Sequence, residues 1–207
     1  MRFKYHYFVA TRASAKSFTA YLTGVIRAVL LPNSQIFIAS DVKGTVIKIA
    51  EAKFEEIFRH WPLLRQELTS RVDDGKTGEK KSGNYYELHF KNGSNITVVS
   101  KDTSRGLRAN YGILEECATI DEEDYSAVLL PQMNVARREV DGTLNPEEPT
   151  SPQTFITTAR EKTVFMYGKL IECAITEVLR PQDAFVWGLS YEVGLHYGLI
   201  DKSTMMD

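Results

Sequence analysis

Short apolar runs rich in β-branched and aromatic residues alternate with stretches of helical periodicity along the chain, and this alternation constrains the fold most. Residues 5–10 (YHYFVA) read as a buried strand. A helical pattern follows, with Phe18, Leu22, Val25, Ile26, Val29 and Leu30 on one face, stopped by Pro32 and Asn33. Residues 35–40 (QIFIAS) form a second strand, and residues 46–58 return to helical periodicity, ending near Trp61-Pro62. Residues 69–83 are polar and read as a loop. Residues 85–90 and 95–100 flank Lys91-Asn92-Gly93-Ser94, and Asn-Gly between strand-like runs predicts a hairpin because both residues tolerate positive φ. Residues 111–115 (YGILE) form a further buried strand, followed by an acidic turn and a helix over 122–137. A proline-containing surface loop at 141–152, a strand at 153–158, a helix at 161–179, a last strand at 185–187 and a short helix at 191–199 complete the pattern.

Strand–helix alternation in this order implies right-handed crossovers and a mostly parallel sheet covered by helices. The reading is one α/β domain over residues 1–207 carrying a β-hairpin at about 85–100. The formal charge of −2, from 25 basic and 27 acidic residues, excludes a globally basic nucleic-acid coat but not a local basic surface. Only Cys117 and Cys173 are present, without CxxC spacing, which argues against a disulfide framework or cysteine zinc site and favours a reducing compartment. His6, His60, His89 and His196 are scattered singly and read as packing or surface residues. With no apolar run of membrane-spanning length and a polar N-terminus, the chain reads as soluble and intracellular.

The first strand runs into Thr11-Arg12-Ala13-Ser14-Ala15-Lys16-Ser17 and then a helix. Strand, small-residue turn, Lys-Ser and helix is the arrangement that cradles a polyphosphate: loop N–H groups and the helix N-terminus bind anion, lysine reaches the β- and γ-phosphates, and the hydroxyl suits Mg²⁺. Lys16 and Ser17 fill the last two places, while Ala10 and Ala15 stand where glycines are usual. Alanine preserves close backbone approach provided φ stays negative. The competing reading is a strand–turn–helix in which Ser14 or Thr11 caps the helix and Lys16 is solvated.

A phosphate loop calls for a buried strand that ends in carboxylates, and residues 111–116 supply one. Glu115 stands where a carboxylate orders the metal's hydration shell, its extra methylene suggesting outer-shell contact, and Glu116 where a second polarises attacking water. Taken alone, two glutamates at a strand end are a solvated rim. Arg105 and Arg108, flanking Gly106 just upstream, and Arg12 within the loop are candidates for stabilising γ-phosphate charge, or for structural salt bridges.

Together these motifs resemble phage terminase large subunits. Thr11-Arg12-Ala13-Ser14-Ala15-Lys16-Ser17 resembles that family's Arg-containing, Gly-poor phosphate loop. Ser104-Arg105-Gly106-Leu107-Arg108-Ala109-Asn110, the following strand and Glu115-Glu116-Cys117-Ala118 are similar to its RGxRxN…hhhDExA block. Thr157-Thr158-Ala159-Arg160 looks like its coupling motif, and the tail from Phe185, with Tyr191-Glu192 and Gly198-Leu199-Ile200, resembles the stretch that closes the motor region. The resemblance implies an additional-strand, RecA-like P-loop ATPase with ATP and Mg²⁺ as cofactors. It also implies a motor, usually a ring of five subunits, that drives double-stranded DNA into a procapsid beside a portal and small terminase subunit in the host cytoplasm. Carried onto this sequence, residues 11–17 bind nucleotide and Ser17 and Glu115 hold the metal. Glu116 orients water, Arg12, Arg105 or Arg108 stabilise charge, and Thr157 or Thr158 couples hydrolysis to movement.

Three departures accompany the match. Glu115 replaces the usual Asp, little chain precedes the phosphate strand where an adenine-contacting segment is expected, and no acidic cluster with nuclease spacing follows residue 200. A rival reading is therefore a non-catalytic nucleotide- or DNA-binding module whose site a partner chain completes. A third, a small-molecule P-loop kinase, finds only a weak lid in Lys76, Lys80 and Lys81. Arg71, Lys76, Lys80 and Lys81 form a loose basic stretch that reads as a solvated loop or a DNA-facing one, and Arg137 and Arg138 are expected to favour a helix C-terminus.

Overall fold

In the computed structural model, which describes residues 3–12, 14–40, 45–69, 78–83, 85–100 and 106–198, eight strands share one sheet. They are β1 (Tyr5–Ala10), β2 (Gln35–Ser40), β3 (Glu79–Lys81), β4 (Tyr85–His89), β5 (Asn95–Ser100), β6 (Tyr111–Glu115), β7 (Gln153–Thr157) and β8 (Ala184–Leu189). The helices are α1 (Lys16–Leu30), α2 (Thr45–His60), α3 (Pro62–Gln66), α4 (Leu130–Gln132), α5 (Phe165–Leu179) and α6 (Tyr191–His196). The sheet order is β3-β4-β5-β2-β6-β7-β1-β8, parallel from β5 to β8 and antiparallel at β3-β4-β5. β7 lies between β1 and β6, which is the extra strand of the additional-strand P-loop class.

Side-chain alternation builds two cores from the same strands. Ile36, Ile38, Ile113 and Ile156 pack against α1 and α2 on one face. Phe37, Ala39, Leu114 and Phe155 pack with Met166 and Cys173 of α5 on the other. Both faces are therefore covered, as a parallel sheet requires. Among the described residues, no helix is long and apolar enough to cross a membrane.

Several local expectations are corrected. The buried face of α1 carries Ala20, Tyr21, Gly24, Val25 and Ala28, while Ile26 is 39% and Leu30 69% exposed. Small residues bring this helix close to the sheet: a Cβ on Gly24 would lie 3.3 Å from Ile113 Cδ1. Within the expected loop at 69–83, residues 79–81 form edge strand β3, whose charged sequence carries no apolar alternation. There Lys81 pairs with Glu51 instead of lying in a solvated loop, and Tyr86 donates to Glu79 at 2.8 Å. The hairpin forms, but only Gly93 takes positive φ (82°); Asn92 instead donates to the carbonyls of Ala28 and Val29 at the end of α1.

The helix expected over 122–137 ends at Gln132. Wide π-type turns over Asp124–Leu129 run into α4, where Pro131 supplies no N–H to continue the ladder. Arg137 is consequently not at a helix terminus. Its guanidinium bonds Glu148 (2.7 Å), Glu139 (2.6 Å) and the Pro32 carbonyl (2.9 Å), while Glu148 also pairs with the fully buried Arg27 of α1. Arg138 donates to the Gly142 carbonyl. Helix α5 starts at Phe165, not 161, because Val164 is extended (φ −74°, ψ 145°).

Candidate functional site

The carboxyl ends of the parallel strands converge where open α/β sheets bind ligands. Register places Ser40 of β2 beside Glu115 of β6, and Thr157 of β7 beside Val9 of β1. Thr11 therefore leaves β1 beside the end of β7, one strand away from the end of β6.

Loop geometry rejects the plain capping alternative. Neither Ser14 nor Thr11 caps α1; the N-cap is Ala15, with no side-chain cap. The Thr11 carbonyl instead accepts the Ser14 hydroxyl at 2.6 Å and the Lys16 ammonium at 3.1 Å. Lys16 is only 7% exposed, so its charge lies over the loop, not in solvent. The first helical hydrogen bond among the described residues runs from Thr19 N–H to the Ala15 carbonyl, and the N–H groups of Lys16 and Phe18 have no helical acceptor there. These amides and the Lys16 ammonium concentrate positive charge at the start of α1.

Ala15 has φ 56°, contrary to the expectation of negative φ, so the backbone keeps the turn a glycine would make despite the side-chain clash. Glu116, just past β6, is also left-handed at φ 48°. Both turns of the candidate site thus contain a strained non-glycine residue, a feature that clusters at functional sites.

Ser17 and Glu115 meet directly: the Ser17 hydroxyl donates to Glu115 Oε1 at 2.5 Å. Glu115 is 3% exposed, and its Oε2 has no hydrogen-bond partner. Burial raises the Glu115 pKa; the Ser17 hydrogen bond opposes the rise, the Glu116 charge adds to it, and Lys16 opposes it. The Glu116 carboxylate is half-buried with no side-chain hydrogen bond among the described residues, while its carbonyl accepts from the Thr119 N–H and hydroxyl. A serine hydroxyl and one carboxylate form a hard-oxygen donor set that fits Mg²⁺, which usually takes only one or two carboxylates and keeps several waters. The orphaned Oε2 is consistent with that fit. Among the described residues, no three His, Cys, Asp or Glu side chains come together as a metal site.

The remaining predicted residues divide. Arg12 is exposed on the loop. Thr157 is buried, its hydroxyl bonded to the Thr158 carbonyl at 3.0 Å. Arg108 is exposed and lies at the opposite end of β6 from Glu115. Two residues on, Asn110 accepts the Gln35 N–H and donates to the Asn33 carbonyl at the amino end of β2. The structure therefore does not bring Arg108 to the phosphate loop of its own chain. Ala13 and Arg105 lie outside the described residues, as do Arg71, Lys76 and the tail from Leu199.

The sequence reading also missed Tyr21. It sits one turn after Ser17 on α1, fully buried, with its hydroxyl toward Glu115. Its signal was the i,i+4 spacing from Ser17, meaningful only once Glu115 was placed.

No protein-family model matches the chain, and no curated protein matches it in sequence. Solved structures do match. The large terminase ATPase domain of Thermus phage P74-26 aligns with TM-score 0.63 and 15% identity, covering 96% of this chain and 80% of that one. The large terminase of bacteriophage HK97 aligns at TM-score 0.60 and 10% identity over 91% of this chain and 35% of that one. The large terminase of a thermophilic bacteriophage, in complex with ADP, aligns at TM-score 0.54 and 12% identity, over 96% of this chain and 42% of that one. At these identities the likeness is one of architecture: the chain has the RecA-like fold of phage large terminase ATPase domains.

Proposed function

We propose that the chain is an ATP-hydrolysing motor domain of the terminase large subunit type, using ATP and Mg²⁺ to translocate double-stranded DNA into a viral procapsid. The observation that carries this reading is the Ser17–Glu115 hydrogen bond, which joins the phosphate loop to the acidic end of β6. Residues 11–17 bind the phosphates, with the Lys16 ammonium on their negative charge. Ser17 and Glu115 hold Mg²⁺, whose chemistry is to neutralise phosphate charge. Glu116 orients water for in-line attack on the γ-phosphorus. In this reading Arg12, exposed on the loop, acts within its own chain, whereas Arg108, and Arg105 in the same stretch of sequence, act from a neighbour. An arginine supplied in that way accelerates phosphoryl transfer by roughly 10³–10⁵. Thr157, between the ends of β1 and β6, relays the change to the sheet together with Thr158. The working assembly is a ring of five subunits with portal and small terminase subunit, acting in the bacterial host cytoplasm.

Lys16→Ala is expected to abolish ATP binding and turnover. Glu116→Gln should retain binding and lose about 10²-fold or more in hydrolysis, the size of a general-base contribution. Binding by Lys16→Ala overturns the phosphate loop, and wild-type turnover by Glu116→Gln overturns the role of that carboxylate.

The position of Arg108 favours a second reading, a non-catalytic nucleotide- or DNA-binding module that needs a partner chain. Absence of ATPase activity at high protein concentration, with and without double-stranded DNA, selects it.

A further inference from the structure

We infer that Tyr21 is a positioning residue whose hydroxyl takes the second oxygen of Glu115 when a divalent cation and nucleotide fill the site. This rests on the phosphate-loop reading above. Ser17 and Tyr21 stand one turn apart on α1 and project on the same side toward the end of β6. Ser17 already holds Glu115 Oε1. The other oxygen, Oε2, and the Tyr21 hydroxyl are both buried, both without a hydrogen-bond partner, and face one another without meeting bonding geometry.

The ring of Tyr21 is fixed. It stacks on Phe54 at 5.4 Å between centroids, and Phe54 stacks in turn on Tyr86 at 5.8 Å. A phenylalanine would serve that packing without burying a hydroxyl, so the stack does not require the hydroxyl, and Glu115 is the group it faces. Glutamate in place of aspartate supplies the complementary half: its extra methylene carries the carboxylate along α1, toward a second hydroxyl beyond Ser17. A small rotation of the Glu115 carboxylate closes the gap. Its two oxygens are then held by two hydroxyls, and its charge is aimed at the cation or its water shell.

Tyr21→Phe keeps the stack and removes only the oxygen. Affinity for ADP is to be measured by calorimetry in Mg²⁺ and again in EDTA, with Tm followed for each variant. Tyr21→Phe is expected to weaken ADP binding about tenfold in Mg²⁺, the size of one hydrogen bond to a charged group. Binding in EDTA should stay at the wild-type value, and Tm should be unchanged or raised. In a Glu115→Asp background, where the shorter carboxylate falls short of Tyr21, the same substitution should have no further effect.

Unchanged Mg²⁺–ADP affinity in Tyr21→Phe overturns the inference and leaves the phosphate loop standing. Equal losses with and without Mg²⁺, together with a fall in Tm, also overturn it by assigning the hydroxyl to folding. No ADP binding by the wild type under either condition overturns the phosphate-loop reading and this inference with it.

Discussion

Helix α1 begins at the candidate phosphate loop and is fastened near its other end by charge. Arg27 has a side chain that is 0% exposed, and its one ion-pair partner among the described residues is Glu148, on the strap that follows Arg137. Arg27 also lies 5.0 Å from the Tyr111 ring, but that contact supplies no counter-charge. Removing one partner of a buried pair strands the other charge, at about 3–5 kcal/mol. Glu148→Gln keeps an acceptor for one guanidinium hydrogen bond, so the lower figure, about 3 kcal/mol, is expected. For a domain of this size that corresponds to a fall in Tm of about 6–12 °C.

Glu139→Gln is the matched control. Glu139 is 34% exposed, and without it Arg137 retains Glu148 and the Pro32 carbonyl. Its loss should amount to less than about 1 kcal/mol, as for an exposed pair. Urea denaturation and thermal melts of the two variants side by side provide the measurement. Equal destabilisation by both substitutions would refute the argument, because it would mean that burial of Arg27 does not govern the value of its partner.

Two other outcomes follow from local physics. Burial lowers the His6 pKa from 6.5 to about 4. Between those values the unfolded chain holds more protons than the folded one, so stability should fall as pH drops through that window. The slope approaches about 1.4 kcal/mol per pH unit for one proton. Urea midpoints at several pH values should show a shallower dependence in His6→Phe, and identical slopes would count against the assignment. Ala15→Gly relieves the left-handed strain at φ 56°. It should raise stability by about 1 kcal/mol after the greater flexibility of unfolded glycine is deducted; a lower urea midpoint would contradict this.

The strands were legible because each is a short buried run whose side chains serve one of two faces. Tyr5–Ala10, Gln35–Ser40 and Tyr111–Glu115 fall where apolar patterning places them. Strand β3 was not legible, since its charged residues carry no burial signal and its place depends on β4. The early end of the helix after Ile120 was written in Pro131, which helical periodicity alone overlooks. At the candidate site, the meeting of Ser17 with Glu115 was legible because local chain geometry fixes each one relative to a strand end. Arg108 illustrates the opposite case. A residue just before a parallel strand lies at its amino end, whereas ligands gather at the carboxyl ends. Proximity in sequence to Glu115 therefore concealed separation in space. Tyr21 required the reverse inference, from a tertiary contact back to a helical spacing.

The position of β1 inside the sheet has a consequence for the order of synthesis. Among the described strands, β1 pairs with β7 and β8, the two that come last in sequence. Its apolar residues and the attached loop therefore wait for most of the domain to be translated before either neighbour exists. At ribosomal rates the interval from Ala10 to the end of β7 is roughly 7–30 s. Meanwhile β2, β5 and β6, with their covering helix α2, can assemble from sequence-local partners. The candidate site, whose loop precedes most of the sheet in sequence, is completed only when β7 has joined β1.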